Sequence, residues 1–414
     1  MSMLRSFATR PASRQLAITV GIALAGLAMA YLAGLGEMAG SAAYLYAVTV
    51  LLAIGLYGSA SGIPREIYGD LGTVLLAVTL GVLLKTALIA GVMYAFFRDP
   101  TALVLGVAVA QIDPLSVSAL LGRSQMSPRA KALLLAWASF DDPITALLTV
   151  YLSAWALSSI AGEGGGVAAA ILGDTGLSSY LGNLARNFGF ALIVLIVWAA
   201  VRWWAARRPA RAAAWRGRRS FRAGVLLVVV ALVGVASWQF LLLGIALVGL
   251  FLRLDSPVLL QRAISLAFAL ATFALGVLLL GGIRIGPGLL LGAAAFGAQI
   301  LVGWLIARRM PHVDRVYLAL GQQNGITAIL LALALQPSFP AAVGIVAPAI
   351  LTVNVLHILT NGIWDNRASV ARRIAHRPWA RFTPFHAIRP PTDAEIIIPA
   401  VATAHPGDLR GGLV

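Results

Sequence analysis

The sequence predicts an all-α polytopic membrane protein of about twelve transmembrane helices, arranged as inverted repeats in which two helices are broken at mid-membrane. Three observations carry that expectation. Of 414 residues, 60% are hydrophobic and only 11% charged, with a mean hydropathy of +0.90, against about 25% charged in soluble domains. Apolar stretches near the length of about 20 residues that a membrane span needs recur along the chain. Two of them are interrupted by polar, helix-breaking residues at corresponding positions in opposite halves, the sequence signature of an inverted-repeat carrier with its site at the midplane.

The expected spans are 16–36, 42–58, 71–97, 101–122, 131–160, 178–201, 223–237, 239–253, 258–282, 287–307, 315–335 and 340–363. Residues 1–15 form a short leading segment, 16–364 the membrane domain, and 365–414 a polar tail expected to be disordered or to lie on the membrane surface. The first stretch lacks a small-residue cleavage site and is taken as a retained span. The segment 223–253 fits one long tilted helix or two short ones, and charge decides between them. With Arg5, Arg10 and Arg14 inside, residues 202–222 bring eight arginines to the same side, while 161–177 carries Glu163 and Asp174 and no basic residue. Two passes through 223–253 also place Arg308, Arg309, Arg315 and the tail inside, as the positive-inside rule requires. Both termini are then cytoplasmic and the protein belongs in the cell membrane. The net charge of +16 is explained by these loops and the tail, so nucleic acid is not an expected partner. Cysteine is absent, which excludes disulfides, thiolate catalysis and iron–sulfur clusters. No HExxH, GxSxG or P-loop pattern occurs, and no cofactor is implied.

The polar residues inside the spans define the candidate site. Span five, KALLLAWASFDDPITALLTVYLSAW, carries Asp141 and Asp142. A carboxylate at a helix centre costs about 2.5–3.5 kcal/mol on insertion scales, and two neighbours cannot both ionise without a cation or proton to share. They project about 100° apart and can face different partners. Pro143 frees the Ser139 carbonyl as a further oxygen. Carboxylate and carbonyl oxygens suit alkali cations and protons rather than zinc. Span four holds Asp113 and Pro114, a proline that breaks or kinks the helix. In span eleven Gln322, Gln323, Asn324 and Gly325 form a second breaking cluster. Lys85, one of only two lysines among 31 basic residues, lies deep in span three. Unlike arginine, lysine can release its proton, so Lys85 is a candidate aspartate partner or proton carrier, unless it snorkels to an interface. The histidines form no metal cluster: His312 is placed in a loop, His376, His386 and His405 in the tail, and His357 alone in span twelve.

QIDPLSVSALL, ASFDDPITALL and GQQNGITAI together resemble the monovalent cation:proton antiporter superfamily, in its sodium/proton exchanger and Kef-type branches. The resemblance covers roughly residues 16–364. It implies that Asp142 alternates between a cation (Na+ first, then K+ or Li+) and a proton, that Asp141 is an accessory acid, and that Asp113 balances helix ends where the broken helices cross. It also implies a homodimer. Two positions depart from the family: Ile112 stands where the family has threonine, and Gln299 stands where it has a lysine or arginine. By the repeat, Lys85 is the symmetry mate of that position, so the basic partner is expected to have moved to span three. The rival expectations are a sodium-coupled symporter of a small organic anion, a channel, and an intramembrane aspartyl hydrolase. A channel needs a filter, and nothing filter-like occurs in the sequence.

Overall fold

The computed structural model describes residues 11–34, 41–62, 72, 76–114, 117, 124–160, 177–207, 219–239, 241–254 and 256–375. The loops 161–176 and 208–218, the second half of span four and the tail from 376 onward, each with its expectations above, lie outside the described residues. The described residues form thirteen α-helices. They are α1 (Pro11–Ala33), α2 (Ala42–Ser61), α3 (Val82–Phe97), α4 (Pro100–Ala108), α5 (Pro128–Ile160), α6 (Leu177–Arg207) and α7 (Arg219–Trp238). They continue with α8 (Leu242–Phe251), α9 (Pro257–Leu278), α10 (Ile285–Ile306), α11 (His312–Ala319), α12 (Ile326–Leu335) and α13 (Ala342–Ala375). Eight helices are long and apolar enough to cross a membrane.

Where they are described, the expected spans are helical, apart from the interruptions of spans four and eleven. The segment 223–253 is divided, α7 ending at Trp238 and α8 opening at Leu242. At 10 residues, α8 is about 15 Å long, half the hydrocarbon thickness. Within span three a π-helical turn, Ala77–Gly81, runs directly into the first turn of α3, which holds Lys85; such turns recur at functional sites. Between α3 and α4 the chain reverses through Arg98 in the left-handed region (φ 54°), and Asp99 caps α4 by accepting from the Thr101 amide at 2.9 Å. His312 is not in a loop. It opens α11, with its ring against Trp304 and Trp364.

The helices associate in two groups. In one, α1 packs on α9, α2 on α8 and α9, and α6 and α7 on α8. In the other, α3 packs on α4 and α10, α4 on α5, and α10 on α11; α13 lies along α10 through Gly288 and Gly292, and its Gly344 carbonyl accepts from the Arg284 amide at 2.9 Å. Without water to expel, helices in a membrane associate by close backbone approach at small residues. The α1–α9 contact shows this: a Cβ on Gly276 would run into the Ala23 backbone, and one on Gly26 into that of Phe273. Helix α12 borders both groups, contacting α2 and α9 as well as α4 and α5. Tyr57 of α2 donates to the Leu252 carbonyl beyond α8 at 2.9 Å, fastening α2 within the first group.

Candidate functional site

Two helix interruptions meet in the core. Between α4 and Pro114 the stretch Val109–Asp113 is non-helical, and between α11 and α12 so is Leu320–Gly325. In hydrocarbon each unsatisfied backbone group costs several kcal/mol, and these two stretches satisfy one another. Asn324 Nδ2 donates to the Val109 carbonyl at 2.9 Å, Gln322 Nε2 to that of Gln111 at 2.8 Å, and the Asp113 amide to that of Gln323 at 2.8 Å. Helix α13 supports the second interruption. Asn354 Oδ1 accepts from the Asn324 amide at 3.2 Å and its Nδ2 returns a bond to the Asn324 carbonyl at 3.1 Å. The Leu320 carbonyl accepts from Asn361 Nδ2 at 3.1 Å and lies 2.9 Å from His357 Nδ1, so His357 is buried and bonded, not isolated. Gly325 must lack a side chain because a Cβ there would overlap the Asp113 carboxyl.

Against this junction α5 presents its two aspartates to different neighbours. Asp141 Oδ2 is 2.5 Å from Lys85 Nζ and accepts from the Ile112 amide at 3.0 Å. The ion pair is fully buried on both sides, 0% exposed, and Lys85 also lies 5.6 Å from the centre of the Trp137 ring. Asp142, also 0% exposed, is met by hydroxyls. Ser59 Oγ of α2 donates to its Oδ2 at 2.5 Å, and Thr327 Oγ1 of α12 donates to the same oxygen at 3.0 Å. Its Oδ1 is buried with no hydrogen-bond partner among the described residues, as is Oδ1 of Asp141. A buried carboxylate oxygen left unbonded is a strong acceptor waiting for a cation or a proton.

Thr145, one turn beyond, donates to the Asp141 carbonyl at 2.6 Å and lies 3.2 Å from Gln111 Oε1, linking α5 to the first interruption. The Ser139 hydroxyl is turned away along α5, donating back to the Leu135 carbonyl at 2.8 Å. Gln299 is also apart from the carboxylates: its Nε2 donates to the Leu318 carbonyl at 2.9 Å, at the end of α11. Sequence reasoning missed Ser59, Thr327, Asn354 and the bonding of His357. Thr327 could have been found from its place two residues past the break; Ser59, in the run GLYGSASG, carries no local signal.

A cavity of about 700 Å³ reaches this junction, with Asp113, Gln323 and Asn354 at its inner wall and Arg14, Gln261 and Ser265 along its length. It joins the interruptions to the N-terminal end of α1, at Arg14.

No protein-family model matches this chain, and no curated protein matches it. Among solved structures, the sodium proton antiporter MjNhaP1 from Methanocaldococcus jannaschii at pH 8 is similar, with a TM-score of 0.60 and 16% identity over 82% of this chain and 91% of that one. An electron-microscopy structure of the same antiporter gives a TM-score of 0.50 and 15% identity, covering 86% of this chain and 92% of that one. The chain therefore has the fold of a sodium/proton antiporter, a class of polytopic all-helical membrane protein.

Proposed function

We propose that the protein is a secondary transporter that exchanges a monovalent cation, Na+ first and K+ or Li+ as alternatives, for protons. One observation carries the proposal: on an antiporter fold, a fully buried carboxylate, Asp142, sits at the meeting of two helix interruptions with one oxygen unbonded. A dehydrated cation or a proton can take that position, but not both, because protonation removes the charge that holds the cation. Asp141 is set apart by its pairing with Lys85, so Lys85 neutralises one carboxylate and leaves the other to titrate. Alternation then carries Asp142 from one side to the other as the helices bearing the interruptions move against the rest. We assign twelve crossings with both termini cytoplasmic, in the cell membrane, and a homodimeric assembly. The large cavity then opens on the cytoplasmic side. Hydrolysis by an aspartate pair needs two carboxylates that share one site; the separate partners of Asp141 and Asp142 support transport instead.

The test is dye-reported proton movement in inverted vesicles holding the full chain, with Na+, Li+ or K+ added across a pH series. A cation-evoked pH change is expected for the natural sequence and none for Asp142→Asn. A well-inserted protein that moves sodium with an organic anion and no protons would overturn exchange in favour of symport, a reading for which Arg14 in the wall of the cavity is the supporting feature.

A further inference from the structure

The two hydroxyls on Asp142 come from helices with different attachments. Thr327 opens α12 directly after the interruption that is hydrogen-bonded to the α4 side and to α13, so it stays with the junction. Ser59 belongs to α2, which packs on α8 and α9 and is fastened there by Tyr57. Helix α5 packs directly on α2 and α8, and α12 on α2 and α9; within this contact between the two groups the Ser59–Asp142 bond is the one made from α2 to the Asp142 carboxylate. One further hydrogen bond from α2 reaches α12, from Tyr44 Oη to the Leu333 carbonyl at 2.7 Å. That bond is between neutral groups and is indifferent to the charge at Asp142.

We infer that the Ser59–Asp142 hydrogen bond is an interlock, holding the two helix groups together while Asp142 is ionised and empty and releasing them when a cation or proton occupies the carboxylate. The inference rests on the exchange reading above. Hydrogen bonds to an ionised acceptor are roughly twice as strong as neutral ones, and at 2.5 Å this one is short. A proton or a cation on the carboxylate withdraws the charge that strengthens it. The loaded site is then free to move and the empty, charged site is held, which is the condition for exchange rather than leak. Desolvation alone already opposes carrying a bare carboxylate through hydrocarbon. The interlock adds a bond that must break before that movement starts.

The experiment uses the full chain in proteoliposomes. It measures the Na+-evoked proton flux and the proton flux down an imposed pH gradient with choline as the only cation and a lipophilic anion to balance charge. The readout is the ratio of cation-free to Na+-evoked flux. Ser59→Ala is expected to raise that ratio about tenfold, the effect of about 1.4 kcal/mol, and Ser59→Thr, which keeps the donor, to restore it. Ser59→Cys, a weaker donor of similar size, is expected to fall between them and serves if the alanine variant fails to insert. A ratio equal to that of the natural sequence in both Ser59→Ala and Ser59→Cys overturns the interlock alone. A natural sequence that moves no protons with any alkali cation overturns the exchange reading itself, and the interlock with it.

Discussion

Lys85 and Asp141 are both at 0% exposure, and their charges are worth having only together. Taking an ion out of water costs several kcal/mol, so removing one partner strands the other at a cost of about 3–5 kcal/mol, whereas replacing both with apolar side chains of similar volume is often neutral. Lys85→Met is therefore expected to destabilise the protein by about that amount, and Lys85→Met with Asp141→Leu to recover most of it. Thermal unfolding of the purified full chain in detergent checks both, and a single variant as stable as the natural protein would refute the pairing. The comparison also separates structure from transport. If the double variant folds and still exchanges, Asp142 alone carries the cation and the pair is scaffolding. The special status of Lys85 was legible in the sequence because a lysine deep in an apolar run, in a chain that otherwise uses arginine, has no structural reason to be there. Its choice of Asp141 over Asp142 was not legible, because it depends on which way a helix rolls, and one residue along α5 changes the facing by about 100°.

At the level of elements, the interruptions were legible and their mutual support was not. Asp113-Pro114 and the run Gln322–Gly325 announce a loss of helix by composition, since proline removes a donor and a cluster of amides and glycine offers the backbone other partners. Which amide bonds which carbonyl follows only from bringing residues 109–113 beside 320–325, a separation of about two hundred residues that no local pattern encodes. Gln299 illustrates the limit. The family resemblance marked it as standing in place of a basic residue; in the fold it donates to the Leu318 carbonyl, near the end of the eight-residue α11, which also accepts from the Gly321 amide. Helix C-termini favour donors and positive charge. Gln299→Leu removes one bond from a carbonyl that also accepts from the Gly321 amide at 3.4 Å, and is expected to cost about 0.5–1.5 kcal/mol. Gln299→Lys, which buries an ammonium with no carboxylate bonded to it at a position 0% exposed, is expected to cost more than the leucine variant. Equal unfolding temperatures for the leucine variant and the natural protein would show that the bond contributes nothing.

For the whole molecule, the question with the widest consequence is the path of the chain through the membrane, and it turns on α7 and α8. Charge in the loops demanded two passes between residues 223 and 253, and α7 and α8 are separate helices, ending at Trp238 and opening at Leu242. The ten residues of α8 are short for a crossing, yet its faces are covered by α2, α5, α6 and α7, so lipid need not match its length. Two passes put Ile283, between α9 and α10, outside and Arg309, before α11, inside. A single pass exchanges the two. Because the chain contains no cysteine, one introduced thiol reports alone, and both positions are exposed. Ile283→Cys is expected to react with a membrane-impermeant maleimide on intact cells, and Arg309→Cys only in inverted vesicles. The opposite pattern would leave α7 and α8 as one bent crossing. The loop charges, which two passes bring to one side of the membrane, are the reason to expect the first pattern.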